Sequence, residues 1–128
     1  MASPIIPGLN DSEIPKLLEA AKDHGATSAG YVLLRLPLTV EPVFLDWLEK
    51  NVPEQSEKIR ERVRQTRQGK LNQSQFKTRM RGTGNLADHL AQTFKVFAKK
   101  HGLATRTVPL DTSHFRVPPG PNTQLSLF

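Results

Sequence analysis

Two short apolar segments on either side of one helical pattern constrain this chain more than any other feature of its sequence. The first is Ile5–Ile6, which runs into a turn that contains Gly8. The second is Tyr31–Leu36, which holds one arginine and shows no polar alternation. Apolar runs of this length are typical of strands that are covered on both faces. The pattern therefore predicts two buried strands.

The segment between these strands predicts a helix at about residues 12–24. The turn from Asn10 to Ser12 offers several candidate N-caps, Asn10 among them, and Gly25 suits the left-handed position after a last turn. Apolar residues repeat there at helical spacing: Ile14, Leu17, Leu18 and Ala21. Strands joined by one helix are usually parallel, with a right-handed crossover. We expect residues 5–36 to form one βαβ unit, flanked by missing chain, a second copy or the following helices, because two strands alone are not stable.

The rest of the chain is predicted to be mainly helical. A helix at about 40–51 is expected to have one apolar face: Val43, Phe44, Trp47 and Leu48. A mostly solvated helix at about 54–68 follows Pro53, with Ile59 and Val63 as its apolar anchors. The last helix starts near Asn85, a candidate cap, and has the clearest apolar face: Leu86, Leu90, Phe94 and Phe97. An extended stretch at 108–110 and a turn at 111–113 then precede a Pro/Gly-rich spacer.

Composition limits the chemistry that this chain can perform. Eighteen basic and twelve acidic residues give a net charge of +6, which favours anionic partners. The absence of cysteine excludes disulfides, thiolate metal sites, a Cys nucleophile and a self-contained iron–sulfur cluster. The start lacks a leader pattern and no run is long enough to cross a bilayer, so a soluble, cytoplasmic protein without membrane partners is expected.

The histidines and the turn near the C-terminus do not predict a catalytic or metal site. The four histidines lack zinc-type spacing, so no metal site is expected. Asp111, Ser113 and His114 include the residue types of a hydrolase triad, but residues so close in sequence rarely form one. No catalytic residue is assigned.

The segment from Lys58 to Arg81 is strongly basic and is a candidate nucleic-acid surface. Its alternative interpretation is a solvated helix face, and with only Phe76 nearby it does not predict base stacking. The candidate phosphate contacts are Arg60, Arg64, Arg67, Lys70, Arg79 and Arg81.

The C-terminal peptide after the spacer resembles the short peptides with which bacterial DNA polymerases and repair proteins bind the replication sliding clamp. One amide and three apolar side chains could fill an apolar pocket there; the alternative is a tail that packs on its own domain or frays. The candidate partner-binding residues are Gln124, Leu125, Leu127 and Phe128.

The first strand and its turn resemble the fifth-strand motif of the radical SAM superfamily, Gly-x-Ile-x-Gly-x-x-Glu. Ile6, Gly8 and Asp11 are in register with it, while Pro4 replaces its first glycine and Asp11 replaces its glutamate. Further segments resemble the C-terminal extension of a bacterial branch related to spore photoproduct lyase: Gly69-Lys70-Leu71, Arg79-Met80-Arg81-Gly82-Thr83-Gly84, Leu110-Asp111-Thr112-Ser113 and Phe115-Arg116.

This resemblance implies an α/β fold: the last βαβ unit of a partial (β/α)6 barrel in residues 1–38, a helical extension in 39–116, and a spacer with the C-terminal peptide in 117–128. It also implies a place in the S-adenosylmethionine pocket for five residues: Ile6, Gly8, Asp11, Leu34 and Arg35. Ile6 would give apolar contact and Gly8 close backbone approach, although core packing and a turn explain both without a ligand. Arg35, a charge in an apolar strand, is expected at the barrel mouth or in an ion pair.

The superfamily's three-cysteine loop, which holds the 4Fe-4S cluster, is absent from this chain. The sequence therefore predicts an expressed fragment, a truncated reading frame or a half that pairs with a missing N-terminal barrel portion, inactive by itself. S-adenosylmethionine and the cluster would belong to the parent enzyme. The alternative is a non-enzymatic adaptor that binds DNA through the basic segment and the clamp through its tail.

Overall fold

The computed structural model describes residues 1–106, 109 and 111–117. This part of the chain is mixed α/β, with a small two-stranded parallel sheet and four α-helices. The strands are β1 (Ala2–Ile5) and β2 (Tyr31–Leu33). The helices are α1 (Ile14–Asp23), α2 (Val40–Asn51), α3 (Pro53–Gln65) and α4 (Asn85–Lys100). The predicted stretch at 108–110 lies mostly outside the described residues.

The two predicted strands pair in parallel, as expected for chain segments joined by one helix. Ala2 lies opposite Tyr31 and Ile5 opposite Leu33, with one extra residue of β1 between these pairs. The Leu34 backbone N–H donates to the Ile5 carbonyl at 2.8 Å. Both strands differ from the predicted ranges, because β1 starts and ends earlier and β2 stops at Leu33.

Later parts of the chain cover the side of β2 that faces away from β1. The Leu33 N–H donates to the Met80 carbonyl at 2.9 Å, and the Ala29 N–H donates to the Ala104 carbonyl at 2.8 Å. Ala104 also forms an isolated parallel bridge with Ser28. Segment 70–84 thus satisfies a backbone group of β2, and the residues after α4 satisfy a backbone group of the segment just before β2.

The first turns of α1 and α4 are not capped by the residues that the sequence suggested. Asn10 does not cap α1: its Oδ1 accepts from the Ile6 N–H at 2.7 Å and its Nδ2 donates to the Pro4 carbonyl at 3.1 Å. These bonds close the loop after β1, because a short amide side chain can bond nearby backbone as readily as a helix end. Asn85 is the first residue of α4, and Gly84, at φ +88°, takes the cap position.

The apolar side chains form two clusters, and both cross the chain's predicted division at residue 38. The first core joins β1, α1, β2 and α4, and its buried members include Ile5, Leu18, Leu33, Leu90 and Phe94. The second core joins the end of β2 to α2 and α3 through Leu34, Leu36, Leu48, Ile59 and Val63. Residues 1–38 therefore share both cores with later helices, and Ile59 and Val63 are buried anchors as predicted.

The apolar face of α2 differs from the predicted one. Leu48 is 0% exposed, but Val43 is 68% and Trp47 42% exposed. Phe44 is half-buried and its ring stacks near Trp47, with 6.3 Å between ring centroids. Four apolar residues at helical spacing span more of the helix surface than α3 covers, so only part of the stripe reaches the core. None of the described helices is long and apolar enough to cross a bilayer.

Candidate functional site

The loop after β1 and the residues after β2 lie at the same edge of the sheet, since the strands are parallel. All five predicted cofactor contacts lie in these two segments. Leu34 is 8% exposed and belongs to the second core, and the half-buried Ile6 packs against that core. Asp11 begins a short 3₁₀ turn, Asp11–Glu13, before α1. The structure therefore brings Ile6 and Leu34 together as packing partners of α3.

Gly8 approaches a side chain of α3. Its φ is +88°, a conformation that favours glycine, and a Cβ at this position would lie 2.8 Å from Cδ and 3.0 Å from Nη1 of Arg62. The resemblance implied a close approach of S-adenosylmethionine to Gly8; the group that approaches Gly8 in this structure is the Arg62 side chain.

Arg35 is half-buried at this edge and forms no salt bridge with any described residue. Its Nη1 lies 3.9 Å from the sulfur of Met80. Its Nε is buried and has no hydrogen-bond partner among the described residues. The ion pair, one of the two positions expected for this charge, is therefore not formed with any described residue.

Among the described residues that are less than 2% exposed, Arg67 has the largest side chain. Its guanidinium donates hydrogen bonds to backbone carbonyls. Nη1 donates to the carbonyls of Arg79 at 2.8 Å and Thr78 at 3.4 Å. Nη2 donates to those of Leu34 at 2.7 Å and Leu33 at 3.3 Å. Burial, and then the nearby positive charge of Arg35, lowers the pKa of Arg67. Arg67 thus ties the end of β2 to segment 70–84.

The predicted contact of Arg67 with phosphate is wrong for this structure, because a side chain 1% exposed cannot reach a nucleic-acid backbone. A run of like charges gave no sequence signal that one member would turn inward. The reason is tertiary: several carbonyls converge where β2 ends, and a guanidinium carries enough donors in one plane to satisfy them.

Arg60 and Arg64 are held in ion pairs on the surface of α3. Arg60 bonds to Glu49 of α2, and its Nη1 is 4.0 Å from Glu57. Arg64 Nη1 is 3.2 Å from Glu57 and 3.7 Å from Glu61. The basic segment itself contains only two acidic residues close to these arginines, Glu57 and Glu61. The fold brings a third, Glu49, from α2. These neighbours partly neutralise the charge that α3 could offer to phosphates.

The other predicted phosphate contacts lie at or after the end of α3. Lys70 and Arg81 are exposed, Arg79 is half-buried, and none forms a salt bridge with a described residue. The Arg79 guanidinium lies over the Phe76 ring, 5.4 Å from its centroid. Among the predicted phosphate contacts, those without an ion pair and with some exposure therefore lie on segment 70–84.

The predicted turn at 111–113 is present, but it brings together no triad. The Ser113 N–H donates to Asp111 Oδ1 at 2.8 Å, and hydrogen bonding from Ser113 lowers the pKa of Asp111. His114 Nε2 lies 3.9 Å from Asp111 Oδ2, and both side chains are exposed. Among the residues that the structure describes, no three His, Asp or Glu side chains are arranged to hold a metal ion.

The predicted clamp-binding peptide, with Gln124, Leu125, Leu127 and Phe128, lies outside the described residues. Comparison with family models, with curated proteins and with solved structures found no match for the chain.

The structure brings together one further set of charged residues, which no sequence pattern had connected. Arg81, Lys95 and Arg106 surround a cavity beside Tyr31, whose ring packs on Phe94. These three basic residues belong to a loop, a helix and the segment after that helix, so no motif or spacing connects them. Only the placement of α4 against β2 brings them together.

Proposed function

We propose that this chain is the C-terminal part of a radical SAM enzyme and contributes one wall of the S-adenosylmethionine pocket. The observation that carries the proposal is the parallel pairing of β1 and β2, which brings the Ile6–Asp11 loop and Arg35 to one edge of the sheet. Ligands of α/β folds usually bind at the carboxyl ends of parallel strands. In the proposed parent enzyme, β1 and β2 would be the last two strands of a partial barrel.

The residues fit only part of such a pocket. Arg35 and the surface of Gly8 lie at the edge, although Arg62 now packs on Gly8. Leu34 is a core residue, and we assign it support of the wall rather than contact. When bound, the cluster and S-adenosylmethionine would supply radical chemistry. This chain would give apolar surface from Ile6 and a positive charge from Arg35, while the cysteines come from another segment or chain.

A test begins with the genomic sequence upstream of, or adjacent to, the codons of this chain. We expect a Cys-x-x-x-Cys-x-x-Cys loop, and its absence would overturn the enzyme proposal. The joined or co-expressed protein should bind iron and sulfide and form 5′-deoxyadenosine from S-adenosylmethionine. Arg35→Gln should weaken S-adenosylmethionine binding about tenfold, as for loss of one charge-assisted contact, whereas Lys22→Gln on α1 should not. Equal affinity of both variants would remove Arg35 from the pocket.

A second candidate is a DNA-associated adaptor, favoured by the exposed charges of Lys70 and Arg81 outside the ion pairs of α3. Binding to duplex DNA should weaken steeply with salt. The double variant Lys70→Gln/Arg81→Gln should lower the slope of log K against log salt by about 2. Arg60→Gln/Arg64→Gln is the matched control and should change the slope less. A flat salt response of the unmodified chain would exclude this function.

The proposed clamp contact of the adaptor has a separate test. Binding of the chain to a bacterial sliding clamp should be lost in the Gln124→Ala/Phe128→Ala variant, because the amide and the terminal aromatic ring would be the anchors. Equal affinities of the two proteins would remove the tail from the proposal without bearing on duplex binding.

A further inference from the structure

A cavity of about 350 Å³ lies at the N-terminal end of β2, away from the edge proposed for S-adenosylmethionine. Gly30 and Tyr31 form its wall on the strand side, and Phe94 and Lys95 of α4 form the opposite wall. Its volume lies within the usual range of small-ligand sites, roughly 300–1,000 Å³. The cavity is therefore large enough for a small organic ligand.

The charged groups around this cavity are all positive among the described lining residues. Arg81, Lys95 and Arg106 reach it from three separate segments, and no acidic side chain lines it. Arg81 and Lys95 are exposed and form no salt bridge within the described part of the chain. Asp88, the acidic group close enough to act on Tyr31, does not line the cavity. Three converging cations favour an anion such as phosphate.

The apolar wall of the cavity is aromatic. The rings of Tyr31 and Phe94 pack with centroids 4.8 Å apart at an angle of 41°. The Tyr31 hydroxyl is buried and has no hydrogen-bond partner among the described residues. This wall thus offers an aromatic surface to a ligand.

We propose that this cavity is a nucleotide site, in which Arg81, Lys95 and Arg106 bind the phosphate and Tyr31 contacts the base. A nucleotide combines the two features that the cavity offers: an anion for the basic side chains and a flat ring with polar edges for the aromatic wall. The nucleotide is either free or one unit of a single strand. This inference does not depend on the S-adenosylmethionine pocket proposed above, because it uses the opposite end of β2; it shares Arg81 with the surface of the proposed adaptor.

The test is calorimetric titration of the full chain with 5′-AMP, adenosine and inorganic phosphate, and with a short single-stranded oligonucleotide. We expect 5′-AMP to bind at least about tenfold more tightly than adenosine or phosphate alone, because only 5′-AMP engages both walls. Binding of the oligonucleotide without 5′-AMP would assign the site to a nucleotide unit of a nucleic acid. Phosphate binding as tightly as 5′-AMP, or no binding of any nucleotide at about 5 mM, would overturn the proposal.

Two variants and one control variant test whether the nucleotide binds in this cavity. Arg81→Gln and Lys95→Gln should each weaken 5′-AMP or oligonucleotide binding about tenfold. Lys99→Gln, which removes an exposed charge on α4 outside the cavity, should leave the affinity unchanged. Amide chemical shifts of the unmodified chain should move at Gly30, Tyr31 and Lys95 on titration. Shifts confined to other segments, or equal affinities of all three variants, would contradict the assignment.

Discussion

At the scale of single residues, a few backbone positions determine how segment 70–84 closes onto the sheet. Gly82 adopts φ +74°, and a Cβ there would lie 2.8 Å from the Thr66 carbonyl and 2.9 Å from Cδ1 of Leu33. The Arg67 guanidinium donates to carbonyls of the same segment and of β2. The contact between segment 70–84 and the sheet therefore depends on the lack of a side chain at Gly82 and on the buried guanidinium of Arg67.

Replacing Gly82 by alanine should destabilise the protein more than replacing Gly25. Both glycines have positive φ, so each substitution costs about 1–2 kcal/mol of backbone strain. Only Gly82→Ala also forces a methyl against backbone, which should add about 2 kcal/mol, since nothing lies within 4 Å of a Cβ at Gly25. Urea unfolding measures both free energies. Equal losses would mean that segment 70–84 relaxes away from α3 at no cost.

Replacing Arg67 should cost more than replacing any arginine of the α3 surface. Arg67→Met would leave buried carbonyls without donors, and we expect a loss of about 3 kcal/mol or more in the free energy of unfolding. Arg67→Lys should recover less than half of it, because an ammonium cannot bond to carbonyls on both sides. Arg64→Gln, which removes partly exposed ion pairs, should cost at most about 1 kcal/mol. A loss below about 1 kcal/mol for Arg67→Met would contradict the proposed role of Arg67 in joining β2 to segment 70–84.

At the scale of elements, α2 and α3 form one pair and α1 and α4 another, and the two pairs cover different cores. The apolar stripe of α4 faces the first core as predicted, with Leu90 and Phe94 buried and Leu86 and Phe97 partly buried against it. The stripe of α2 is wider than its contact with α3, so Val43 and Trp47 remain exposed. Helix positions follow from periodicity, but the buried part of a stripe depends on the partner.

The two sides of α2 should respond differently to truncation. Leu48→Ala opens a cavity in the second core and should cost about 2–5 kcal/mol. Val43→Ala, at a position 68% exposed, should change the free energy of unfolding by less than about 0.5 kcal/mol. Chemical denaturation of the two variants under the same conditions makes the comparison. A large loss for Val43→Ala would mean that this exposed face is covered in solution.

At the scale of the whole molecule, the packing of α4 on β2 shapes the cavity beside Tyr31 and the electrostatic environment of its hydroxyl. Burial is the main cause that raises the pKa of Tyr31; the positive charge of Arg81 lowers it and Asp88 raises it again. A group whose pKa is higher in the folded than in the unfolded state adds stability below the unfolded-state pKa. That stability is lost as pH rises through the folded-state pKa.

Stability should therefore fall at alkaline pH more in the wild type than in Tyr31→Phe. As pH rises through the range in which tyrosine ionises, the wild type loses the proton of its hydroxyl, whereas the variant has no hydroxyl to ionise. Tyr31 is the single tyrosine of the chain, so phenolate absorbance follows it directly. We expect its midpoint above about 10, the ordinary tyrosine value. A midpoint at or below that value, or parallel stability curves, would contradict this prediction.

The local elements follow from patterns within short stretches of sequence. Apolar runs and helical periodicity predicted the parallel strands joined by α1, and helices close to α2, α3 and α4, because hydrophobic spacing and Gly or Pro at the ends act over a few residues. The partial barrel, the cofactor contacts and the clamp peptide are proposals that rest on the resemblances described above. Strand ends and the Asn10 and Asn85 caps were wrong, since neighbouring backbone competes for the same groups.

Only the tertiary structure decided what the charged residues do. One arginine of the basic segment is buried, two are held by glutamates and Arg81 lines a cavity, although all four look alike in sequence. The physical reason is that burial and the position of distant carbonyls, carboxylates and rings arise when helices pack, and no pattern within the charge run encodes them.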